Sequence, residues 1–166
     1  MTRKQTQAAR EQQFTALAKT YKEVIAKVCS VYVSPIATFD DLYQEVLINV
    51  WQGLESFRGD AKVSSWIYRT AINTCLTWHR RNAKHRQDVG LDLISDIPVE
   101  DNSRTEQCRE LYALIATLEP LEKALVTLWL DEKPYAEISE ITGLSKANVA
   151  TRLHRIREKL IEKANS

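Results

Sequence analysis

The chain has 166 residues, 27% of them charged and 44% hydrophobic, which is the balance of a water-soluble protein able to build small cores but not one large core. Twenty-three Lys and Arg against 22 Asp and Glu leave a formal charge of +1, so total charge argues for no particular partner and only its distribution is informative. The N-terminus, MTRKQTQAAREQQF, is polar and the longest apolar run falls far short of the ~20 residues that cross a bilayer, so the expectation is a cytoplasmic protein without membrane insertion.

Gly and Pro are scarce, at four each, while Ala, Leu, Glu, Lys and Arg recur at helical spacing. An all-α protein follows, built as two small helical domains joined by a linker. The first domain, residues 8–86, should hold three helices: Ala8 to Tyr32, Asp40 to Gly53, and Val63 to Arg86. Ser34-Pro35 ends the first, and Phe57-Arg58-Gly59-Asp60 is a turn between the second and third. Cys29, Cys75 and Cys108 form no CxxC pair and lie in helical patterns, so they read as buried free thiols in a reducing compartment.

On the second predicted helix, Leu42, Tyr43, Val46, Leu47, Val50, Trp51 and Leu54 cover one contiguous half. Asp41, Gln44, Glu45, Ile48 and Gln52 cover the arc opposite. Ile48 is thus an aliphatic ringed by carboxylates and amides, the pattern of a helix that docks another protein's helices, although single exposed aliphatics also occur without a role. The third helix divides similarly: Ile67, Tyr68, Ile72, Ala71, Cys75 and Trp78 share one side, and Trp66, Arg69, Thr70, Asn73, Thr77, Arg80 and Arg81 the other. Cations, an amide and an aromatic together suit backbone phosphates and an unstacked base, and Lys84 extends the basic run. Trp66, at the start of its helix, could equally fold back into the core.

Between residues 87 and 104 the periodicity fades, Gly90 and Pro98 appear, and Asp88, Asp92, Asp96, Glu100 and Asp101 make the segment acidic. Eighteen residues stretch at most ~60 Å, approaching two turns of duplex DNA. Two domains so joined could touch separate sites on one duplex.

The second domain, residues 105–166, begins with Leu111, Leu114, Ile115 and Leu118, then Leu121, Ala124, Leu125, Leu128 and Trp129, which repeat at helical spacing around Pro120 as scaffold helices. From about Pro134 to Lys163 follows a short helix ending near Thr142, a turn at Gly143 requiring positive φ, and a new helix capped by Ser145. Two helices joined by a short Gly-containing turn form a helix-turn-helix. Val149, Leu153, Ile156 and Leu160 form the packing face of its second helix, leaving Asn148, Thr151, Arg152, Arg155 and Lys159 free to enter a major groove. Asn reads adenine and Arg reads guanine through paired hydrogen bonds, and Ser145 and Lys146 at the helix start suit phosphates or the first bases.

A stand-alone helix-turn-helix regulator would leave the organised first half unexplained. An enzyme fits less well: His79, His85 and His154 lie in basic helical segments, and neither metal-ligand spacing nor a phosphate-cradling Gly loop occurs, so no catalytic residue, metal or cofactor is expected.

Asp40-Asp41-Leu42-Tyr43-Gln44-Glu45, Phe57-Arg58-Gly59-Asp60, Ser65-Trp66-Ile67-Tyr68-Arg69 and Asn73, followed by the helix-turn-helix, resemble the extracytoplasmic-function sigma factors of bacterial RNA polymerase. The likeness covers nearly the whole chain after Ala8. It implies that the face of Asp41, Gln44, Glu45, Ile48 and Gln52 binds the clamp helices of core polymerase. It implies that Trp66, Arg69, Asn73, Arg80, Arg81 and Lys84 act at the −10 element, with Asn73 lining the pocket for a flipped base. Ser145, Lys146, Asn148, Thr151, Arg152 and Arg155 would then read the −35 element. The family's usual regulator, an anti-sigma factor that can be membrane-bound, is the remaining implied partner. Two features depart from the family pattern: Val33 to Phe39 replaces the more usual Gly-Asp-containing loop, and the basic run includes His79 and His85.

Overall fold

The computed structural model describes residues 2–82 and 106–166. The segment expected to be the linker, and Lys84, His85 and Arg86, therefore lie outside the described residues. Eight helices are present among those described: α1 (Arg3–Thr20), α2 (Lys22–Val31), α3 (Phe39–Gly53), α4 (Val63–Arg81), α5 (Glu106–Ala116), α6 (Pro120–Leu130), α7 (Tyr135–Thr142) and α8 (Lys146–Ala164). The fold is all-α, with two helical regions in the order expected.

The first predicted helix is two. Tyr21, at φ −105° and ψ 19°, separates α1 from α2, and the division follows burial: α1 buries no residue, whereas α2 buries Ile25, Val28, Cys29 and Val31. Helix α1 also starts earlier than its apolar periodicity suggests, at Arg3, because the Thr2 N–H donates to Gln5 Oε1 (3.1 Å) and closes the first turn. Arg10 fastens it to the body: its guanidinium donates to Glu55 Oε1 and to the Trp51 carbonyl, both at 2.6 Å, and lies 4.2 Å from the Trp51 ring centre.

After α2 the chain reverses through Ser34 and Ala37, which exchange both backbone hydrogen bonds (3.0 and 3.1 Å) around Pro35-Ile36. Thr38 then caps α3, its side chain accepting the Asp41 N–H. Helices α2, α3 and α4 pack mutually around Ile25, Val28, Leu42, Val46, Ile67 and Ala71, all fully buried. Gly53 ends α3 where a Cβ would stand 2.9 Å from the Trp66 ring, so a side chain there would have to shift that ring.

In the second region, Pro120 occupies the first turn of α6 and the Glu122 carboxylate accepts the Glu119 N–H (3.0 Å). Helix α6 ends in a left-handed cap: Glu132 has φ 59°, its N–H bonds the Trp129 carbonyl, and the Lys133 N–H bonds the Leu128 carbonyl. Gly143, at φ 80°, makes the expected turn between α7 and α8. Ile138, Ile141, Val149, Leu153 and Ile156 bury the joint of the helix-turn-helix against Ala124, Leu125 and Leu128.

The two regions are not independent cores. Helix α4 packs on α6 and α7, and α2 on α5 and α6, so the buried apolar residues form one continuous cluster from Ile25 to Ile156. Cys29 and Cys75 are buried as expected, but Cys108 is exposed on α5, where the apolar stripe of Leu111 and Ile115 faces inward and Cys108 does not.

Candidate nucleic-acid interface

Helix α8 begins at Ser145, whose Oγ accepts the Asn148 N–H (3.1 Å), so the cap that starts the helix also fixes the first candidate reading residue. One turn later the Arg152 Nε donates to Asn148 Oδ1 (2.9 Å). This pair stands on the outer face with exposed Thr151 and Arg155, while Val149, Leu153 and Ile156 are fully or almost fully buried beneath. The bond orients both side chains and leaves the Asn148 Nδ2 and Arg152 Nη donors outside it. Lys146 is exposed at the positive end of the helix. Lys159, in contrast, turns back to Glu122 (3.1 Å) and Arg157 lies over Trp129 (5.2 Å), so the later basic residues anchor α8 to α6.

In the first half, α3 and α4 enclose a groove of about 730 Å³. Asp41, Gln44, Glu45 and Ile48 form one wall, Asn73 and Arg81 part of the other. Ile48 is 48% exposed beside Leu42, Val46 and Val50 at 1% or less, which matches the division of faces read from the helical wheel. Gln52 is exposed one turn beyond. Arg80 is also exposed near the end of α4.

Two polar residues not singled out from the sequence tie the walls together. Asn49 Nδ2 donates to Thr74 Oγ1 (2.8 Å), which in turn donates to the Thr70 carbonyl (2.6 Å). Asn49 sits at the seam between the apolar and polar arcs of α3, and Thr74 lies on the buried side of α4, so neither stood out in a two-face division. Their pairing satisfies a buried hydroxyl and fixes the spacing of the groove.

Trp66 and Arg69 stand differently from the rest of their face. The Trp66 ring stacks on Phe57 (centroids 4.8 Å, planes 30° apart) and covers Gly53, so it braces the turn before α4. Arg69 donates to the Glu140 carbonyl of α7. His79, counted within the basic run, is a core residue 5% exposed, its Nε2 2.9 Å from the Tyr32 carbonyl oxygen; the helix turns it inward beside Cys75 and Ile72. Burial and a hydrogen bond from Tyr68 to Asp131 push the Tyr68 phenol far above the ordinary tyrosine range. The Cys75 thiol is also raised, by its contact with Cys29 and by burial. These are the signatures of packing, not of activated groups. Among the described residues no group of His, Cys, Asp and Glu could hold a metal ion, and no helix is long and apolar enough to cross a membrane.

Sigma-70 region 2 matches residues 17–85 and sigma-70 region 4 matches residues 108–160. The RNA polymerase sigma factor YlaC of Bacillus subtilis is 33% identical over 132 residues, spanning 75% of this chain and 76% of the relative. The extracytoplasmic-function sigma-E factor of Escherichia coli K12 is 28% identical over 164 residues, 90% of this chain and 85% of that protein. Among solved structures, the sigma factor RpoE of Bartonella quintana, crystallised with the anti-sigma factor NepR, superposes with a TM-score of 0.74 at 18% identity, covering 91% of this chain and 96% of that one. CnrH bound to the cytosolic domain of CnrY gives 0.65 at 18% identity, covering 94% and 91%. With a region 2 that holds the α3–α4 groove and a region 4 that holds the helix-turn-helix, the chain belongs to the extracytoplasmic-function branch of the sigma-70 family, the factors that bind core RNA polymerase and direct it to promoters.

Proposed function

We propose that residues 8–86 bind core polymerase and open the −10 element while residues 105–166 read the −35 element, with residues 87–104 as the connection. The observation that carries this assignment is the groove whose one wall is the Asp41, Gln44, Glu45 and Ile48 face and whose other is the Asn73 and Arg81 face. Polymerase and melted DNA would thus be held on two helices packed through Leu42, Val46, Ile67 and Ala71 and tied by the Asn49–Thr74 hydrogen bond. Asp41, Gln44, Glu45, Ile48 and Gln52 take the polymerase. Asn73, Arg69, Arg80, Arg81 and Lys84 take the −10 strand, and Trp66 contributes by bracing the Phe57–Asp60 turn beside them. Ser145, Lys146, Asn148, Thr151, Arg152 and Arg155 take the −35 duplex.

The chain acts in the cytoplasm, performs no catalysis itself, and is held in check by an anti-sigma factor. The last point is supported by its structural neighbours, two of which were solved bound to NepR and to CnrY. Duplex binding with and without core enzyme tests the assignment against a stand-alone regulator: promoter DNA should be retarded tightly and selectively only when core polymerase is present. Equally tight operator binding by the chain alone would transfer the function to the helix-turn-helix.

A further inference from the structure

Helix α1 is polar on every side along its first half. Residues 2–9 are all exposed, Arg3 and Lys4 among them, and no acid precedes Glu11. A helix that is polar all round gains nothing from the core, so its use lies outside the fold. Its direction is nevertheless fixed. Phe14 meets the Trp51 ring edge-on at 5.4 Å, and Arg10, one turn earlier on α1, reaches the Trp51 carbonyl and Glu55, a turn later on the chain from α3. Going back along α1 is therefore going forward along α3. Residues 3–9 project ~10 Å beyond Arg10, at ~1.5 Å per residue, past the end of α3 and alongside the turn that follows it.

That turn carries Arg58 and Lys62, both exposed. Arg3 and Gln7 repeat the helical face of Arg10 and Phe14, so they face the side on which the turn lies. Within residues 2–10 and 54–62 the only acids are Glu55 and Asp60, and Glu55 is neutralised by Arg10 at 2.6 Å. Arg3, Lys4, Arg58 and Lys62 thus gather at one end of the first half with Asp60 as the only unmatched acid. The same end is where α4 begins. Asn73, Arg80 and Arg81 lie farther along α4, and the connection to the −35 reader leaves from its C-terminal end. A strand laid along α4 from the −35 side passes Asn73 and then arrives at Lys62, Arg58 and the projecting end of α1.

We propose that Arg3 and Lys4, with Arg58 and Lys62 beside them, form a phosphate-binding track for the melted strand where it leaves the −10 element on the downstream side. The track rests on the assignment of the outer face of α4 to the −10 strand. Its chemistry selects phosphates and not bases. Residues 1–13 contain no aromatic to stack a base, and the nearby Phe57 and Trp66 rings are stacked on each other. Such contacts are independent of sequence and weaken with salt. The face assigned to polymerase is acidic at Asp41 and Glu45 and suits a cationic partner, whereas this end has the opposite sign.

Holoenzyme made with the full chain, or with its Arg3→Ala/Lys4→Ala variant, is titrated by anisotropy with two promoter forks. In one the non-template single strand stops at the end of the −10 element, and in the other it continues downstream. On the longer fork the variant should lose ~1.4 from the salt slope, at ~0.7 per single-strand phosphate, so that between ~50 and ~200 mM salt the wild type falls about sevenfold further. On the shorter fork the two should coincide. An unchanged slope on the longer fork, or an equal loss on both, overturns the track. Arg3→Gln/Lys4→Gln, which also removes the charges from a helix-compatible pair, should reproduce the alanine result; an effect of alanine alone would be one of folding and would equally overturn it. With Cys108→Ser and a benzophenone on Lys4→Cys, light should crosslink the chain to the downstream strand of the longer fork. A crosslink to polymerase instead gives this end of α1 to the enzyme and overturns the proposal. Wild-type holoenzyme that binds both forks without regard to the −10 sequence defeats the assignment of α4, whereas −10 selectivity that persists with no effect of the double variants defeats the track alone.

Discussion

Replacing Ile48 by Glu should remove polymerase binding while leaving the fold intact. Fully burying an Ile side chain is worth ~1.5–3 kcal/mol. Since Ile48 is 48% exposed in the free chain, covering the rest contributes about 1 kcal/mol. A carboxylate left without a partner under an interface adds roughly 1–3 kcal/mol. Together these predict ~2–4 kcal/mol, or a roughly 30- to 700-fold loss of affinity at ~1.4 kcal/mol per tenfold. Stability should move by no more than ~0.5 kcal/mol, because the side chain makes no core and Glu is at home in a helix beside Gln44 and Gln52. Titrating a fluorescent chain with core enzyme by anisotropy measures the first quantity, and thermal circular dichroism the second. A folded variant that still binds core polymerase at wild-type affinity removes Ile48 from the interface. A variant that loses helicity makes it a core residue after all.

Arg152→Ala should cost ~1–3 kcal/mol of promoter binding by the holoenzyme and relax preference at one base of the −35 element, whereas Arg80→Ala should weaken all sequences alike and lower the salt slope; competition binding on promoter variants at several salt concentrations distinguishes them. Gly53→Ala should destabilise the chain by ~1–3 kcal/mol in a urea titration, since its Cβ would stand 2.9 Å from Trp66 and the Phe57 stack would have to shift; unchanged stability would mean the ring moves freely. The Tyr68 phenol is raised by burial and by Asp131, so it favours the folded chain below the ordinary tyrosine pKa of ~10, and that stability is lost as pH rises through the higher folded value. Ultraviolet titration should therefore show fewer late-ionising tyrosines in Tyr68→Phe than in the wild type, and an equal number would contradict the shift.

Most of the helical frame was legible because the features that set it are local. Gly143 needs positive φ, Ser145 caps, and Pro120 opens a helix, and each acts where the sequence puts it. The division of α3 into a buried and an outward face was likewise visible from periodicity, and Ile48 appears where that division put it. What escaped depends on contacts distant in sequence. The break at Tyr21 follows from which part of the first helix the other helices cover. His79 belongs to the core because the Tyr32 carbonyl, 47 residues earlier, lies beside it. The Asn49–Thr74 bond joins residues that one-helix wheels treat separately. The packing of the two halves includes the contacts of Lys27 and Tyr68 with Asp131, residues with no shared motif and separations of up to 104 positions.

Run-off transcription with purified core polymerase on a promoter library joins both assigned surfaces in one readout. Addition of the chain should produce transcripts from a defined subset of promoters sharing −10 and −35 sequences. Those transcripts should vanish with Ile48→Glu, and with Arg152→Ala they should spread to promoters altered at one −35 position. Transcripts that are absent, or that are independent of both substitutions, would contradict the placement of polymerase on α3 and of promoter reading on α8.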